Sequence, residues 1–200
     1  MGQLLIATRN RGKVKEITSI LAASGCSFLS LDDCANVGTP AEDGTTYAEN
    51  AVKKALFYAE AAGLCALADD SGLEVEALDG APGIYSARYA GVDASDADRR
   101  RLLLSELVHV NVAERRARFV SAVAIASPRG EVLNISEGII VGRITFAERG
   151  EGGFGYDPLF MPDGYEQTFG ELSEELKNQI SHRALALIKA AAFLRTWEGC

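Results

Sequence analysis

The chain has 200 residues, 48% hydrophobic and 24% charged. That is enough for one folded domain with a sizeable core, and it excludes a disordered chain. The net charge of −8 argues against a protein that coats nucleic acid, because duplex binding depends largely on neutralising phosphates with Lys and Arg. No stretch approaches the roughly 18 apolar residues of a membrane span, and the N-terminal Met1-Gly2-Gln3-Leu4 lacks the basic segment of a signal peptide. The expectation is therefore a soluble, cytoplasmic protein with residues 1–200 forming a single domain. Cys26, Cys34, Cys65 and Cys200 contain no Cys-x-x-Cys pair and have only two histidines to help them. A zinc site is not expected, and free thiols in a reducing compartment fit best.

In chain order, Leu4 to Ala7 reads as a buried strand feeding a polar turn from Thr8 to Gly12. Val14, Ile17, Ile20 and Leu21 recur at helical spacing, and Gly25 is placed to stop that helix. Cys26 to Leu31 reads as a second strand, and Thr39 to Thr45 as a loop of Pro, Gly and acidic residues. A helix is expected from about Thr46 to Ala62, ended by Gly63. Leu64 to Ala68 then reads as a buried strand delivering Asp69 and Asp70 at its C-terminal end, where ligands collect in open α/β sheets.

Asp79 to Gly91 is a loop too long for a plain connector, and its Tyr85 and Tyr89 suit a cleft or an interface equally. Ala94 to Leu107 reads as a helix. Arg116 to Ala126 and Glu131 to Phe146 form a hairpin about Ser127-Pro128-Arg129-Gly130. Glu148 to Gly164 is a second Gly/Pro-rich loop, and one helix from about Ser173 to Trp197 closes the chain. Strand–helix units mixed with a hairpin predict an α/β fold with a mixed sheet.

Four segments carry candidate chemistry. Thr8-Arg9-Asn10-Arg11-Gly12-Lys13 lies at a helix start, where backbone N–H groups, Lys13 and the side chains of Thr8 and Asn10 suit phosphate oxygens. Its spacing is not that of a Walker loop, and an ordinary polar turn would look the same. Asp69-Asp70-Ser71-Gly72 suits Mg²⁺ binding and equally a plain turn. Glu42 and Glu49 are further acidic candidates, and Lys53 and Lys54 are sources of positive charge. Gly153-Phe154-Gly155-Tyr156-Asp157-Pro158 offers aromatics that stack on a base or simply pack as core. Gly150-x-Gly152-x-x-Gly155 matches a dinucleotide fingerprint in form only, since Pro158 opposes the required helix. Lys177, Asn178, Ser181, His182 and Arg183 cluster donors suited to purine carbonyls or phosphates.

Together these segments resemble the inosine triphosphate pyrophosphatase family, the non-canonical purine nucleoside triphosphate pyrophosphatases. The resemblance rests on Ile6-Ala7-Thr8-x-Asn10-x-x-Lys13 with Glu16, on Tyr47-x-Glu49-Asn50-Ala51-x-x-Lys54-Ala55, and on the run from Ala68 to Gly91. It rests also on Gly152 to Phe160, Thr168-Phe169 and Lys177-Asn178-x-Ile180-Ser181-His182-Arg183.

The resemblance implies an elongated α/β protein with a long mixed β-sheet, flanking helices and two lobes around a central nucleotide cleft, usually a homodimer using Mg²⁺. The implied reaction is hydrolysis of ITP, dITP or XTP to the monophosphate and pyrophosphate. By position, Asp70 and Lys54 would be catalytic, Asp70 and Glu42 would hold the metal, and Thr8, Arg9, Asn10, Arg11, Gly12 and Lys13 would hold the triphosphate. Ser71, Phe154, Gly155, Tyr156, Asp157, Lys177, His182 and Arg183 would form the nucleotide pocket. A pyrophosphatase for other modified nucleotides and a non-hydrolysing nucleotide-binding protein are the alternatives. Arg9, Arg11 and Gly170 depart from the usual family pattern.

Overall fold

The first apolar run forms β1 (Gln3–Ile6), with Leu4, Leu5 and Ile6 all buried, as in a parallel strand covered on both faces. The computed structural model describes residues 2–34 and 37–197. In it β1 pairs in parallel with β2 (Ser27–Ser30) on one side and with β3 (Cys65–Val75) on the other. Parallel neighbours need crossover connections, and α1 (Arg11–Ile20) and α2 (Tyr47–Ala62) lie within them. The sheet continues through β4 (Arg116–Ala126), β5 (Val132–Ile144) and β6 (Phe160–Pro162), in the order β2-β1-β3-β4-β5-β6. The β5–β6 pair is antiparallel, so the sheet is mixed, as expected. The remaining helices are α3 (Asp96–Glu106), α4 (Glu174–Ile180) and α5 (His182–Thr196).

Local chemistry explains the helix ends. Asn10 caps α1, its side-chain oxygen accepting from the Lys13 N–H at 3.1 Å. Thr46 caps α2 by accepting from the Glu49 N–H. Gly63 ends α2 in the left-handed conformation. Ser95 caps α3 in a reciprocal box with Asp98.

Several expectations need correction. β3 does not stop at Ala68 but runs on to Val75, so Asp69 and Asp70 lie mid-strand rather than at a strand end or in a turn. The turn preferences of Asp-Asp-Ser-Gly are overridden by buried cations that satisfy the two carboxylates in extended backbone. The closing helix is two helices, because Ser181 adopts extended backbone (φ −66°, ψ 157°), the geometry and residue type of an N-cap. The second Gly/Pro-rich loop contains β6. Cys26 and Cys34 are free thiols, but Cys65 is disulfide-bonded. Cys200 lies outside the described residues.

The chain divides into two compact units, with boundaries inside β3, β4 and β5. The first comprises Met1–Asp70, Ser121–Gly138 and His182–Cys200. Its core joins Leu4 and Ile6 of β1, Ile17 of α1, Leu67 of β3, Val123 and Ile125 of β4, and Leu187, Ala190 and Leu194 of α5. The second comprises Ser71–Val120 and Ile139–Ser181. Its core includes Leu73, Val75, Leu103, Leu107, Ile144 and Tyr156, with Phe119, Phe160 and Phe169 in mutual contact at centroid distances of 4.7, 5.3 and 6.2 Å. Among the described residues no helix is long and apolar enough to cross a membrane.

In the first unit, Gly138 of β5 lies directly beneath the start of α5. A Cβ there would meet the His182 carbonyl oxygen at 2.1 Å and the Ala186 nitrogen at 2.5 Å. Both obstacles are backbone, so nothing flexible can yield. Gly138→Ala should lower stability by about 2–3 kcal/mol, the range of overpacking, in urea denaturation. A change below about 0.5 kcal/mol would show that α5 is not held by this contact.

Candidate functional site

The two adjacent aspartates of β3 are the centre of the site in the first unit. Successive strand residues point to opposite faces, and the two carboxylates have different partners. Asp69 is 1% exposed. One oxygen meets Lys13 Nζ at 2.7 Å, and the other accepts from Arg183 Nε at 3.1 Å and from Ser121 Oγ at 3.4 Å. The Arg183 guanidinium also donates to Glu16 of α1, so one planar cation spans two carboxylates. Burial would raise the Asp69 carboxyl, but Arg183, Lys13 and Lys54 outweigh it and hold the group well below the usual carboxylate range. Burial lowers Lys13 despite the attraction of Asp69.

Asp70 is 8% exposed. Its Oδ1 accepts from Lys54 Nζ at 2.9 Å, and the same ammonium lies 3.0 Å from Glu42 Oε1. Its other oxygen accepts from the Asn50 side-chain amide at 3.2 Å. Burial pushes the Asp70 carboxyl above its ordinary value, an effect that Lys54 and Lys13 oppose but do not cancel. Lys54 is lowered by burial and raised more strongly by Asp70, Asp69 and Glu42, for a net rise. Two aspartates one residue apart are thus driven in opposite directions, the signature of groups with different tasks.

The loop before α1 is shaped by its own side chains. Asn10 N–H donates to Thr8 Oγ1 at 3.2 Å, so the Thr8 oxygen fixes the turn while the Asn10 oxygen caps the helix. The first turn of α1 contains no acidic residue, which leaves the positive end of the helix dipole uncompensated. Exposed Arg9 donates to the Val37 carbonyl at 2.8 Å, tying this loop to the segment that precedes Glu42. Arg11 is exposed and Gly12 half-buried. His182 is buried at the start of α5.

The second unit holds the aromatic loop. Lys177 Nζ meets Asp157 at 2.5 Å and lies 4.7 Å from the Phe154 ring centroid. The Phe154 N–H donates to the same Asp157 carboxylate at 2.8 Å. Gly155 is gripped at both ends of its peptide: its N–H donates to Asp96 at 2.8 Å and its carbonyl accepts from Arg100 at 2.9 Å. Tyr156 is a core residue whose hydroxyl donates to the Ser86 carbonyl at 3.0 Å, and burial raises its phenol. Ser71 follows Asp70 in β3 and is half-buried.

Sequence reasoning passed over Asn50, Asp96 and Arg100 as working residues. Asn50 had a signal, a polar residue four positions before Lys54 on one helix face. Asp96 and Arg100 had none, because they act on a loop more than fifty residues away.

Removing Arg183 takes from the buried Glu16 and Asp69 the cation that they share. Arg183→Met should therefore lower stability by about 3 kcal/mol or more at neutral pH. The Asp69 carboxyl lies lower in the folded chain than in the unfolded one, so its contribution is complete above about pH 5 and drains away as pH falls below about 4. Urea titrations from about pH 2 to about pH 7 should give a steeper acid loss for the unmodified chain than for Arg183→Met. Parallel curves would place the acid sensitivity elsewhere.

The model for the Ham1 family matches residues 4–193. The chain is 50% identical over 192 residues to a dITP/XTP pyrophosphatase of Desulforamulus reducens, covering 96% of this chain and 95% of that one. A protein of the same name from Geobacter sulfurreducens is 50% identical over 191 residues, covering 94% of this chain and 96% of its own. Among solved structures, a HAM1 protein from Coxiella burnetii superposes with a TM-score of 0.88 at 37% identity, covering 97% of this chain and 98% of that one. The Staphylococcus aureus Ham1 protein gives 0.83 at 39% identity, covering 96% and 97%. With sequence and backbone matched across nearly its whole length, this chain belongs to the Ham1 family.

Proposed function

We propose that this protein hydrolyses deaminated purine nucleoside triphosphates, ITP, dITP and XTP, to the monophosphate and pyrophosphate. This would remove them from the cytoplasmic nucleotide pool. The observation that carries the reading is the approach of Glu42 and Asp70 to one cation position, marked by Lys54 Nζ at 3.0 and 2.9 Å. The names of the relatives, dITP/XTP pyrophosphatase, supply the substrate class.

The donor set fits Mg²⁺. Asp70 and Glu42 are two hard carboxylates drawn together on the Lys54 ammonium. Mg²⁺ commonly takes one or two carboxylates and completes its shell with phosphate oxygens and water. Asp70 and Glu42 would hold it, and when bound it would supply charge neutralisation on the phosphates.

The chain's own residues do the rest. Lys13 and the N-terminus of α1, with Thr8 and Asn10 shaping the loop, are assigned to the triphosphate, and Lys54 to developing charge near Asp70. A water oxygen forms a bond to the α-phosphorus while the bond to the bridging oxygen breaks, and pyrophosphate departs. Asp70 takes the proton from water. Its elevated position makes it a better acceptor than Asp69, which three cations hold ionised. Phe154, Gly155, Asp157 and Lys177 are assigned to base recognition, and His182 is assigned as a donor to the purine 6-oxo group; Arg183, taken up by Asp69 and Glu16, holds the site together instead. A donor there opposes the amino group of adenine and leaves both unpaired.

Pyrophosphate release from ITP, XTP, GTP and ATP, with Mg²⁺ and with chelator, tests the reading. ITP and XTP should be cleaved at least about a hundredfold better than ATP and GTP, a gap of roughly 2.7 kcal/mol, and chelator should abolish turnover. Uniform cleavage would favour a pyrophosphatase for other modified nucleotides, and binding without cleavage a nucleotide-binding protein. Asp70→Asn should lower kcat by at least about a hundredfold in a folded protein, and activity within about tenfold would remove Asp70 from the mechanism. The homodimer is checked by light scattering on the purified chain.

A further inference from the structure

Asn50 is 1% exposed in the first turn of α2, a buried polar amide that must find partners. Both ends of that amide are in use. Its Nδ2 donates to Asp70 Oδ2 at 3.2 Å, and its Oδ1 accepts from the Gly44 N–H at 2.8 Å. A carboxylate only accepts and a backbone N–H only donates, so a single orientation of the amide satisfies both.

Gly44 lies two residues after Glu42, and the contacts close into a ring. Asp70 meets Lys54, Lys54 meets Glu42, the chain runs from Glu42 to Gly44, Gly44 meets Asn50, and Asn50 returns to Asp70. Gly44 is buried between exposed Asp43 and Thr45, the point where this loop is pinned to the body of the first unit. A Cβ on Gly44 would meet Asn50 Oδ1 at 2.6 Å, so this close approach requires glycine.

We propose that Asn50 is the positioning residue that holds the two candidate metal carboxylates in register. It fixes the rotation of Asp70 directly and the reach of Glu42 through Gly44. The inference rests on the assignment of Asp70 and Glu42 to a divalent cation. Other contacts hold the same loop, but they do not perform this task. Lys53 pairs with Asp43 at 2.8 Å, and the Thr45 N–H donates to Glu49 at 2.7 Å. These pairs are exposed, where an ion pair contributes little, and neither touches Asp70. Lys54 also touches both the loop and the strand, through the two carboxylates themselves; Asn50 joins Asp70 to the loop backbone instead.

Manganese binding to the full nucleotide-free chain, followed by electron paramagnetic resonance, tests this. The variants are Asn50→Leu, Gly44→Ala and the control Lys53→Ala. Groups that orient metal ligands change metal affinity by about 10- to 100-fold when removed. Asn50→Leu and Gly44→Ala should therefore weaken Mn²⁺ binding at least about tenfold, and Lys53→Ala should stay within about twofold. The Mg²⁺ concentration for half-maximal ITP hydrolysis should rise in parallel.

A merely structural amide would lower the melting temperature and the folded fraction without changing the affinity of the molecules that remain folded. If Asn50→Leu does not fold, Gly44→Ala decides. Tight Mn²⁺ binding by the unmodified chain with folded variants within about twofold of it would overturn the role of Asn50 and leave the proposed reaction intact. Failure of the unmodified chain to bind Mn²⁺ would overturn the metal assignment and this inference together.

Discussion

Two neighbouring carboxylates buried in the middle of β3 set the terms for the first unit. A buried carboxylate without a partner carries a penalty of several kcal/mol, and Asp69 and Asp70 are both buried. Cations must therefore arrive from other parts of the chain, and they come from three helices. Lys13 belongs to α1, Lys54 to α2 and Arg183 to α5. Two of these helices, α1 and α5, also contribute Ile17, Leu187 and Leu194 to the apolar core. Hydrophobic packing and charge compensation are thus satisfied by one arrangement, and a packing contact such as Gly138 against the first turn of α5 bears on where Arg183 stands.

Strand alternation then divides the pair. Asp69 faces Lys13 and Arg183, is held ionised, and serves to anchor those cations. Asp70 faces one ammonium, one amide and a second carboxylate, and burial leaves it above its ordinary value. The chemistry of the two differs although the residues do not, because their surroundings differ. Asp70 also shares the Lys54 ammonium with Glu42.

The second unit solves a different problem, holding a glycine-rich loop in one conformation. Asp157 takes both the Phe154 N–H and the Lys177 ammonium, and α3 grips Gly155 through Asp96 and Arg100. The Tyr156 ring is core, and its hydroxyl ties the 83–88 segment. Loops are rarely precise without such support, and here the support comes from buried polar bonds rather than from regular secondary structure.

What the sequence determined by itself were the local and periodic features: β1 from its apolar run, α1 from its spacing, α2 from its composition and the Gly63 stop, the hairpin turn at residues 127–130, and the order of the motifs. Those depend on residues within a few positions of each other. Tertiary structure alone decided that β3 runs through Asp-Asp-Ser-Gly instead of turning there, that the last helix breaks at Ser181, and that Cys65 is not a free thiol. It alone placed Glu16 against Arg183 across 167 positions, and Asn50 against Asp70. The reason is common to all of these. Local preference for a turn or a helix amounts to about a kilocalorie per mole or less, whereas leaving a buried charge or amide unpaired costs several times that. The partner that settles the matter is brought by the fold and is invisible in the neighbourhood of the residue.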